Sequence, residues 1–318
     1  MDLAAIRQFL FAVAALGCVL GPKAALAEPK KDPAAAVRAV LSLQQAQLDY
    51  AHSKIAFDQI VDPSVDAGSV KKEVSRLVAS AQEFAGPRAS EGAKIDAVRK
   101  VLYEAGPWND HRPFTYDHDD PFGKNIRNKL LSTYLETRRG NCVSMPILFM
   151  IVGRSIGLNL TLTTAPHHVL VRYSRPGLHP FNIEATSGGG FARDEWYRQK
   201  FPMSNKAIAN GVYLRTHSDR ETVAVMAGTV LQHLRDTGKY EEVIKVAQAI
   251  RAANPQDATL LIWEGSANAM LLKTDFEDKY PVPALIPPNL RARYFQLVRA
   301  NAQAFADAEA LGWGETPQ

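Results

Sequence analysis

One segment of this chain, residues 144–157 with the sequence SMPILFMIVGRSIG, is apolar on nearly every side. A helix with this composition has no polar face for solvent, so it has to be buried in a protein core. Pro146 is tolerated only near the helix start, where a missing backbone N–H matters least. The sequence therefore places Cys142 at or beside the N-terminus of a buried helix, and Gly157 is a suitable C-terminal cap.

The hydrophobic pattern changes directly after this helix. Alternation of apolar and polar residues, which is typical of strands, covers residues 159–164, 168–173 and 181–185. The turn formers at 175–177 (RPG) predict that the second and third strands form a hairpin. The run SGGG at 187–190 predicts the end of the sheet. A helix packed on a small antiparallel sheet gives an α+β fold.

Helical segments are predicted on both sides of this core. Those before it cover residues 33–60, 70–85, 93–106 (with Gly106 as its C-cap) and 125–137. After it, residues 228–271 predict three helices separated by two turns, and a last helix, residues 290–311, follows a proline-rich link. The positions at which a tetratricopeptide repeat would place its characteristic residues are occupied by Leu231, Gly238, Tyr240, Ala247 and Pro255. About one such unit is visible, and fewer than three repeats rarely stand alone.

The chain begins with a pattern typical of export signals. An apolar stretch at 9–20 follows a basic residue, and small residues at 25–27 (ALA) form a cleavage site. The stretch is shorter than the roughly 20 residues that cross a bilayer, so we expect cleavage near Ala27 and no stable membrane anchor. A lipoprotein signal would use Cys18, but the preceding leucine lies one position away from the usual pattern. The expected location is periplasmic or secreted.

These patterns divide the chain into four predicted segments. They are a signal peptide at 1–27, a helical region at 28–106, a core at 107–215 and a tetratricopeptide-like helical segment at 216–318. Cleavage would leave Cys142 as the last cysteine, unable to form an internal disulfide. It is either a reactive thiol or a buried small hydrophobe; this observation alone leaves both open.

Charge and composition exclude some functions. The formal net charge is +4, and the lysines and arginines are scattered rather than gathered in patches with stacking aromatics, so no nucleic-acid partner is expected. The loop at 107–125 collects five potential metal ligands, but their spacing matches no zinc or calcium motif. We therefore predict that turns and helix caps, not a metal or a cofactor, use His111, Asp117, His118, Asp119 and Asp120.

Cys142 has suitable neighbours for nucleophilic chemistry. A helix N-terminus favours a thiolate, and its free N–H groups can stabilise an oxyanion. The base would be His167 or His168, whose side chains would point to opposite faces if both stood on the strand. Glu184 on the next strand lies at a distance that suits a bond to the imidazole, which it would hold in the correct tautomer.

Five other residues are candidates for roles at the site. A second oxyanion donor should exist besides the Cys142 N–H, and Asn128 and Trp108 are candidates. Three arginines could bind an acidic group of a substrate or could be solvated surface charges. They are Arg138, Arg139 and Arg172.

Three motifs in order, RRGNCVSMPILF (138–149), PHHVLVRY (166–173) and FNIEATSGGG (181–190), resemble the transglutaminase-like superfamily, and most closely its SirB1-type branch. In that family a cysteine begins the core helix, a histidine opens the next strand pair and an aspartate completes the triad. The resemblance implies Cys142 as nucleophile, His168 rather than His167 as base, and Glu184 in the place of the aspartate. It also agrees with a tetratricopeptide-like segment after the core.

The resemblance implies a papain-like core and a cysteine enzyme that acts on amide bonds. Together with the predicted export, it gives a protein or peptide of the cell envelope as the expected substrate. Water as acceptor would make it a peptidase or amidase, and an amine would make it an acyl transferase. The alternative is a non-catalytic binding or scaffold protein whose tetratricopeptide-like groove holds a partner. A third alternative is redox sensing by Cys142.

Overall fold

Four helices precede the core in the structure, a computed structural model that describes residues 32–314. The predicted leader, with Cys18 and the cleavage site, lies outside the described residues. The single helix predicted over 33–60 is wrong, because the chain leaves the helix at Ser42 and the Asp49 side chain caps a new one by accepting from His52 N at 2.7 Å. The four are α1 (Pro33–Leu41), α2 (Tyr50–Val61), α3 (Ala67–Ala85) and α4 (Glu91–Tyr103).

The region before Cys142 is less helical than predicted. Helix α4 ends at Tyr103 and not at Gly106, whose backbone is extended. The segment 125–137 is a 3-10 turn (Ile126–Lys129) followed by a separate helix. Two short strands, one before that helix in the chain and one after it, pair in parallel, and the sequence analysis did not predict them. These elements are β1 (Thr115–Tyr116), α5 (Leu131–Thr137) and β2 (Arg139–Gly140).

The buried helix is confirmed as α6 (Ser144–Ser155). Every residue from Ser144 to Gly153 is buried, and Gly157, with a φ of +83°, follows the helix in the left-handed region, as expected of a C-terminal cap. Cys142 stands two residues before the first helical residue. Pro146 therefore falls within the first turn, as its missing N–H requires.

An antiparallel sheet follows α6, with four strands in sequential order. They are β3 (Leu160–Ala165), β4 (His168–Tyr173), β5 (Phe181–Glu184) and β6 (Gly190–Ala192). The first three were predicted, and β6 was not. Pro166 and His167 form a two-residue turn between β3 and β4, and His167 has a φ of +58°. The strand therefore begins at His168, as predicted, and His167 lies in the turn before it.

The rest of the described chain is helical. Two short helices after the sheet were missed, whereas the predicted succession of helices and turns after residue 228 is confirmed. The helices are α7 (Asp194–Lys200), α8 (Asn205–Ala209), α9 (Asp219–Met226), α10 (Gly228–Asp236), α11 (Tyr240–Ala253), α12 (Ala258–Leu272) and α13 (Pro288–Ala310). No helix among residues 32–314 is both long and apolar enough to cross a membrane.

The main hydrophobic core draws on helices before α6, on α6 and the sheet, and on helices after the sheet. Val37 of α1, Phe149 of α6, Leu162 of β3 and Val246 of α11 belong to one cluster of buried side chains. Helix α1 packs directly against α11. Helices α1 to α4 and α9 to α12 therefore share one core with α6, whereas α7, α8 and α13 contribute to two smaller clusters.

A buried ion pair joins the N-terminal helices to the segment before Cys142. Lys54 and Asp58 of α2 are fully buried and 2.5 Å apart. Lys54 Nζ also donates to Lys129 O at 3.0 Å, and Asp58 Oδ2 accepts from Leu131 N at 2.8 Å. The ion pair is thus hydrogen-bonded to the backbone at the end of the 3-10 turn, through Lys129, and at the start of α5, through Leu131. Because each charge has a counter-ion and a backbone partner, its burial is tolerated.

Candidate active site

The backbone around Cys142 is held by the residue before it. The Asn141 side-chain oxygen accepts from Val143 N at 3.0 Å and Ser144 N at 3.2 Å. Ser144 Oγ in return accepts from Asn141 N at 3.1 Å. These bonds satisfy the first N–H groups of α6. The N–H of Cys142 itself bonds to no other residue in 32–314, so it remains available for an oxyanion.

His168 and Glu184 are bonded to each other. His168 Nε2 lies 2.9 Å from Glu184 Oε2, and the two side chains are 12% and 13% exposed. The strand register pairs Val171 with Ile183, which when continued sets Leu170 opposite Glu184. The pair is therefore diagonal across the sheet and not directly opposed. Diagonal neighbours lie about 7–8 Å apart at their backbones, a span that suits the longer side chain of glutamate.

Glu184 is fixed by further donors. Its Oε1 accepts from Thr186 N at 3.0 Å and Thr186 Oγ1 at 2.5 Å, and its Oε2 accepts from the Tyr197 hydroxyl at 2.8 Å. Burial alone would raise the pKa of Glu184, but the hydrogen bonds from His168, Thr186 and Tyr197 outweigh it and lower the pKa to about 2. The carboxylate is therefore charged and held in one orientation.

The surroundings of His168 favour the protonated form of its ring. Burial would lower its pKa, but the Cys142 thiol and the Glu184 carboxylate outweigh burial and raise the pKa to about 9. Its ring stacks on Phe201, with centroids 5.6 Å apart and planes 19° apart. Sequence reasoning missed Tyr197 and Phe201, because both lie in or beside the unpredicted helix α7.

The thiol of Cys142 completes the cluster. It is half-buried, and Sγ donates to the carbonyl oxygen of His167 at 3.7 Å. Since Nε2 of His168 is bonded to Glu184, Nδ1 is the ring nitrogen left for the sulfur. The fold thus brings Cys142, His168 and Glu184 together, whereas the His167 side chain is exposed in the turn.

Glu184→Gln is expected to lower the pKa of His168 from about 9 towards its ordinary value of about 6.5. The substitution keeps the shape and the hydrogen-bonding oxygen but removes the negative charge that favours imidazolium. Titration of the His168 ring protons by NMR measures the change. Tyr197→Phe is the matched control, because it keeps the Glu184 charge and removes one neutral donor. Equal pKa values for His168 in the parent and in Glu184→Gln would contradict the assigned electrostatics.

The two candidates for the second oxyanion donor are engaged elsewhere. Asn128 Nδ2 donates to Asp120 Oδ2 at 2.8 Å, and Trp108 Nε1 donates to Lys100 O at 3.3 Å. Sequence spacing could not reveal these bonds, since each depends on a loop conformation.

The three arginines also have internal partners. Arg138 and Arg172 are buried, with Arg138 bonded to Glu73 at 2.6 Å and Arg172 to Asp194 at 2.5 Å. Arg139 forms ion pairs with both Asp117 and Asp119, which lie in the loop at 107–125. Asp120, in the same loop, accepts from Lys124 N and Asn125 N. No cluster of three or more potential metal ligands occurs within residues 32–314.

A half-buried thiol beside a bonded imidazole and carboxylate, at the start of a buried helix, is the arrangement that thiol acyl-transfer chemistry uses. A family model described as the transglutaminase-like superfamily matches residues 68–227, which include all of these groups. The chain belongs to the transglutaminase-like superfamily, which generally includes cysteine enzymes. Its mixture of helices with small sheets agrees with the predicted α+β class.

Two further comparisons add little. No curated protein is detectably similar in sequence to this chain. Among solved structures, the chain is similar to menin, in a crystal structure described as revealing its binding site for the Mixed Lineage Leukemia protein. The identity is 12% and the TM-score 0.40, over 89% of this chain and 70% of that chain. A likeness at this level carries no information about function.

Proposed function

We propose that this chain is an exported cysteine enzyme that acts on amide bonds of a protein or peptide. Cys142 is the nucleophile, His168 is the general acid and base, and Glu184 orients His168. The observation that carries the proposal is the 2.9 Å bond between His168 Nε2 and Glu184 Oε2, together with the Cys142 thiol, whose Sγ lies 3.7 Å from the carbonyl oxygen of the adjacent His167. A structural thiol would not need a charged imidazole and a buried carboxylate beside it.

The proposed reaction has two halves. The Cys142 thiolate attacks the amide carbonyl to form a C–S bond, and the Cys142 N–H donates to the resulting oxyanion. His168 gives its proton to the departing amine as the C–N bond breaks, which leaves an acyl-enzyme and a neutral imidazole. Water or a second amine then attacks the thioester while His168 takes up its proton. The thiolate leaves and the starting state is restored.

Water is the acceptor that we favour, which makes the enzyme a peptidase or amidase. We also propose the SirB1-type branch for the chain, on the basis of its three motifs and the helices that follow the sheet. Helices α10, α11 and α12 would then act as a tetratricopeptide-like segment able to hold a protein partner. Export to the periplasm or cell exterior is proposed on the leader-like pattern of the first residues.

Fast alkylation of Cys142 at mildly acidic pH is the expected result that tests the proposal. A thiolate stabilised by imidazolium reacts with iodoacetamide where an ordinary thiol, with a pKa of about 8.5, is almost fully protonated. The measurement is the rate of mass gain by the intact folded protein, and Cys142→Ser is the control without the sulfur. The same chain in denaturant gives the rate of an ordinary cysteine.

A second readout separates the two acceptors. The protein is incubated with a peptide mixture and a fluorescent primary amine, and both new amino termini and labelled peptides are quantified. New termini that require Cys142 indicate hydrolysis, and labelled peptides indicate acyl transfer. If Cys142 reacts only after unfolding and neither product forms, the binding-protein alternative replaces the enzyme proposal.

A further inference from the structure

A half-buried lysine lies beside the candidate site without a counter-ion. Lys129 Nζ donates to Gln232 Oε1 at 2.5 Å, and Gln232 Nε2 donates to Gly123 O at 3.2 Å. Gln232, on α10, is 9% exposed. No carboxylate oxygen within residues 32–314 lies in ion-pair distance of Lys129 Nζ. The direct partner of this ammonium is therefore a neutral amide.

The packing around Gly123 connects Lys129 to the nucleophile. A side chain at Gly123 would collide with both the Lys129 chain and the Asn141 amide, so these three residues are in close contact. Asn141 directly precedes Cys142 and holds its backbone. Burial lowers the pKa of Lys129, and the charge of Cys142 opposes that effect, which agrees with a position near the sulfur.

A partly desolvated ammonium with only an amide acceptor is incompletely compensated. Asp120 and Asp236 act on Lys129 through space without bonding to it, and Arg235 acts with the opposite sign. A carboxylate arriving with a ligand would supply the missing charge and a charge-assisted hydrogen bond. Gln232 holds the ammonium in place without neutralising it, which keeps it available for such a ligand.

We propose that Lys129, oriented by Gln232, recognises a negative group on the substrate, so that the site selects acyl substrates with a carboxylate next to the bond that Cys142 attacks. This inference rests on the proposed function for the role of Cys142. It adds a substrate class, namely amides that bear a neighbouring carboxylate. It also assigns part of the substrate specificity to α10, the helix that carries Gln232.

Two alkylating agents test the proposal without a known substrate. Iodoacetate and iodoacetamide both form an S–C bond to Cys142 and release iodide, but only iodoacetate carries a carboxylate. The measured quantity is the ratio of their alkylation rates at neutral pH, from intact-protein mass spectrometry. We expect Lys129→Met to lower the iodoacetate to iodoacetamide ratio about threefold to tenfold, the range expected for loss of one nearby charge.

Two further variants sharpen the test. Gln232→Glu is nearly isosteric and supplies Lys129 with its own carboxylate, so it should lower the ratio at least as much. Lys124→Met is the matched control, because Lys124 is exposed in the same loop and bonds to Asp120 only through its backbone. Its ratio should stay within about twofold of the parent, as expected for a charge screened by solvent.

The outcomes are distinguishable. If Lys129→Met slows both reagents equally, Lys129 acts on the thiolate and not on the ligand, and the recognition proposal is overturned. An unchanged ratio in Lys129→Met and Gln232→Glu overturns it as well. Failure of the proposed function has another signature, namely slow iodoacetamide alkylation of the parent protein, at the rate of an ordinary cysteine, whatever the ratio.

Discussion

Replacing His168 by glutamine is expected to slow acylation of Cys142 about 10²- to 10⁴-fold, the usual contribution of a positioned acid–base group. The substitution removes the imidazolium that stabilises the thiolate and the group that moves the proton. Glutamine keeps hydrogen-bonding capacity towards Glu184, so the fold should be retained. The release of nitrophenol from p-nitrophenyl acetate in a pre-steady-state burst measures the acylation step without knowledge of the natural substrate.

The neighbouring histidine provides the matched control. His167→Asn changes an exposed side chain at a position with a φ of +58°, which asparagine tolerates, and it keeps the carbonyl that faces the thiol. Its burst should remain within about tenfold of the parent, since the assigned base, His168, is retained. A larger loss in His167→Asn than in His168→Gln would reverse the assignment of the base.

The second large effect concerns stability. Asp58→Ala is expected to lower the free energy of unfolding by about 3–5 kcal/mol, because it leaves the ammonium of Lys54 buried without its counter-ion. It also leaves Leu131 N without the carboxylate that accepts its hydrogen bond. Equilibrium unfolding in urea, followed by circular dichroism, measures the change.

The double variant Lys54→Met with Asp58→Leu is the comparison that isolates the uncompensated charge. It removes both charges and fills the space with apolar atoms, so it should recover much of the loss. Recovery should stay incomplete, because the Lys129 carbonyl and the Leu131 N–H still lack their partners. If Asp58→Ala lowers stability by less than about 1 kcal/mol, the pair is not the buried ion pair described here.

The elements that carry the candidate site could be predicted because their patterns are strong. Helix α6 is apolar on all sides and has a proline that limits its start, and strands β3 to β5 alternate. Strand β6 has three residues, one of them glycine, and α7 reads DEWYRQK with no apolar stripe. Neither carries a periodic signal. The edge strand of the sheet and the aromatic residues beside His168, Tyr197 and Phe201, were therefore missed.

Side-chain contacts between distant segments were the other limit. The sequence suggested Cys142, His168 and Glu184 because a helix start and two adjacent strands restrict where these residues can lie. Nothing local indicates that Lys129 meets Gln232, since their contact depends on how α10 packs against the segment before α5. The diagonal contact between Glu184 and His168 likewise depends on the register of β5 against β4. The alternation of apolar and polar residues does not determine that register.

The packing of α1 against α11 bears on the order in which the protein matures. Synthesis proceeds from the N-terminus, and α1, which also packs on α2, lacks this second partner until about two hundred further residues have been made. Until that late segment emerges, the shared interior stays incomplete and the nascent polypeptide remains open to chaperones and proteases. A truncated product lacking α11 would consequently leave the face of α1 that packs against α11 uncovered.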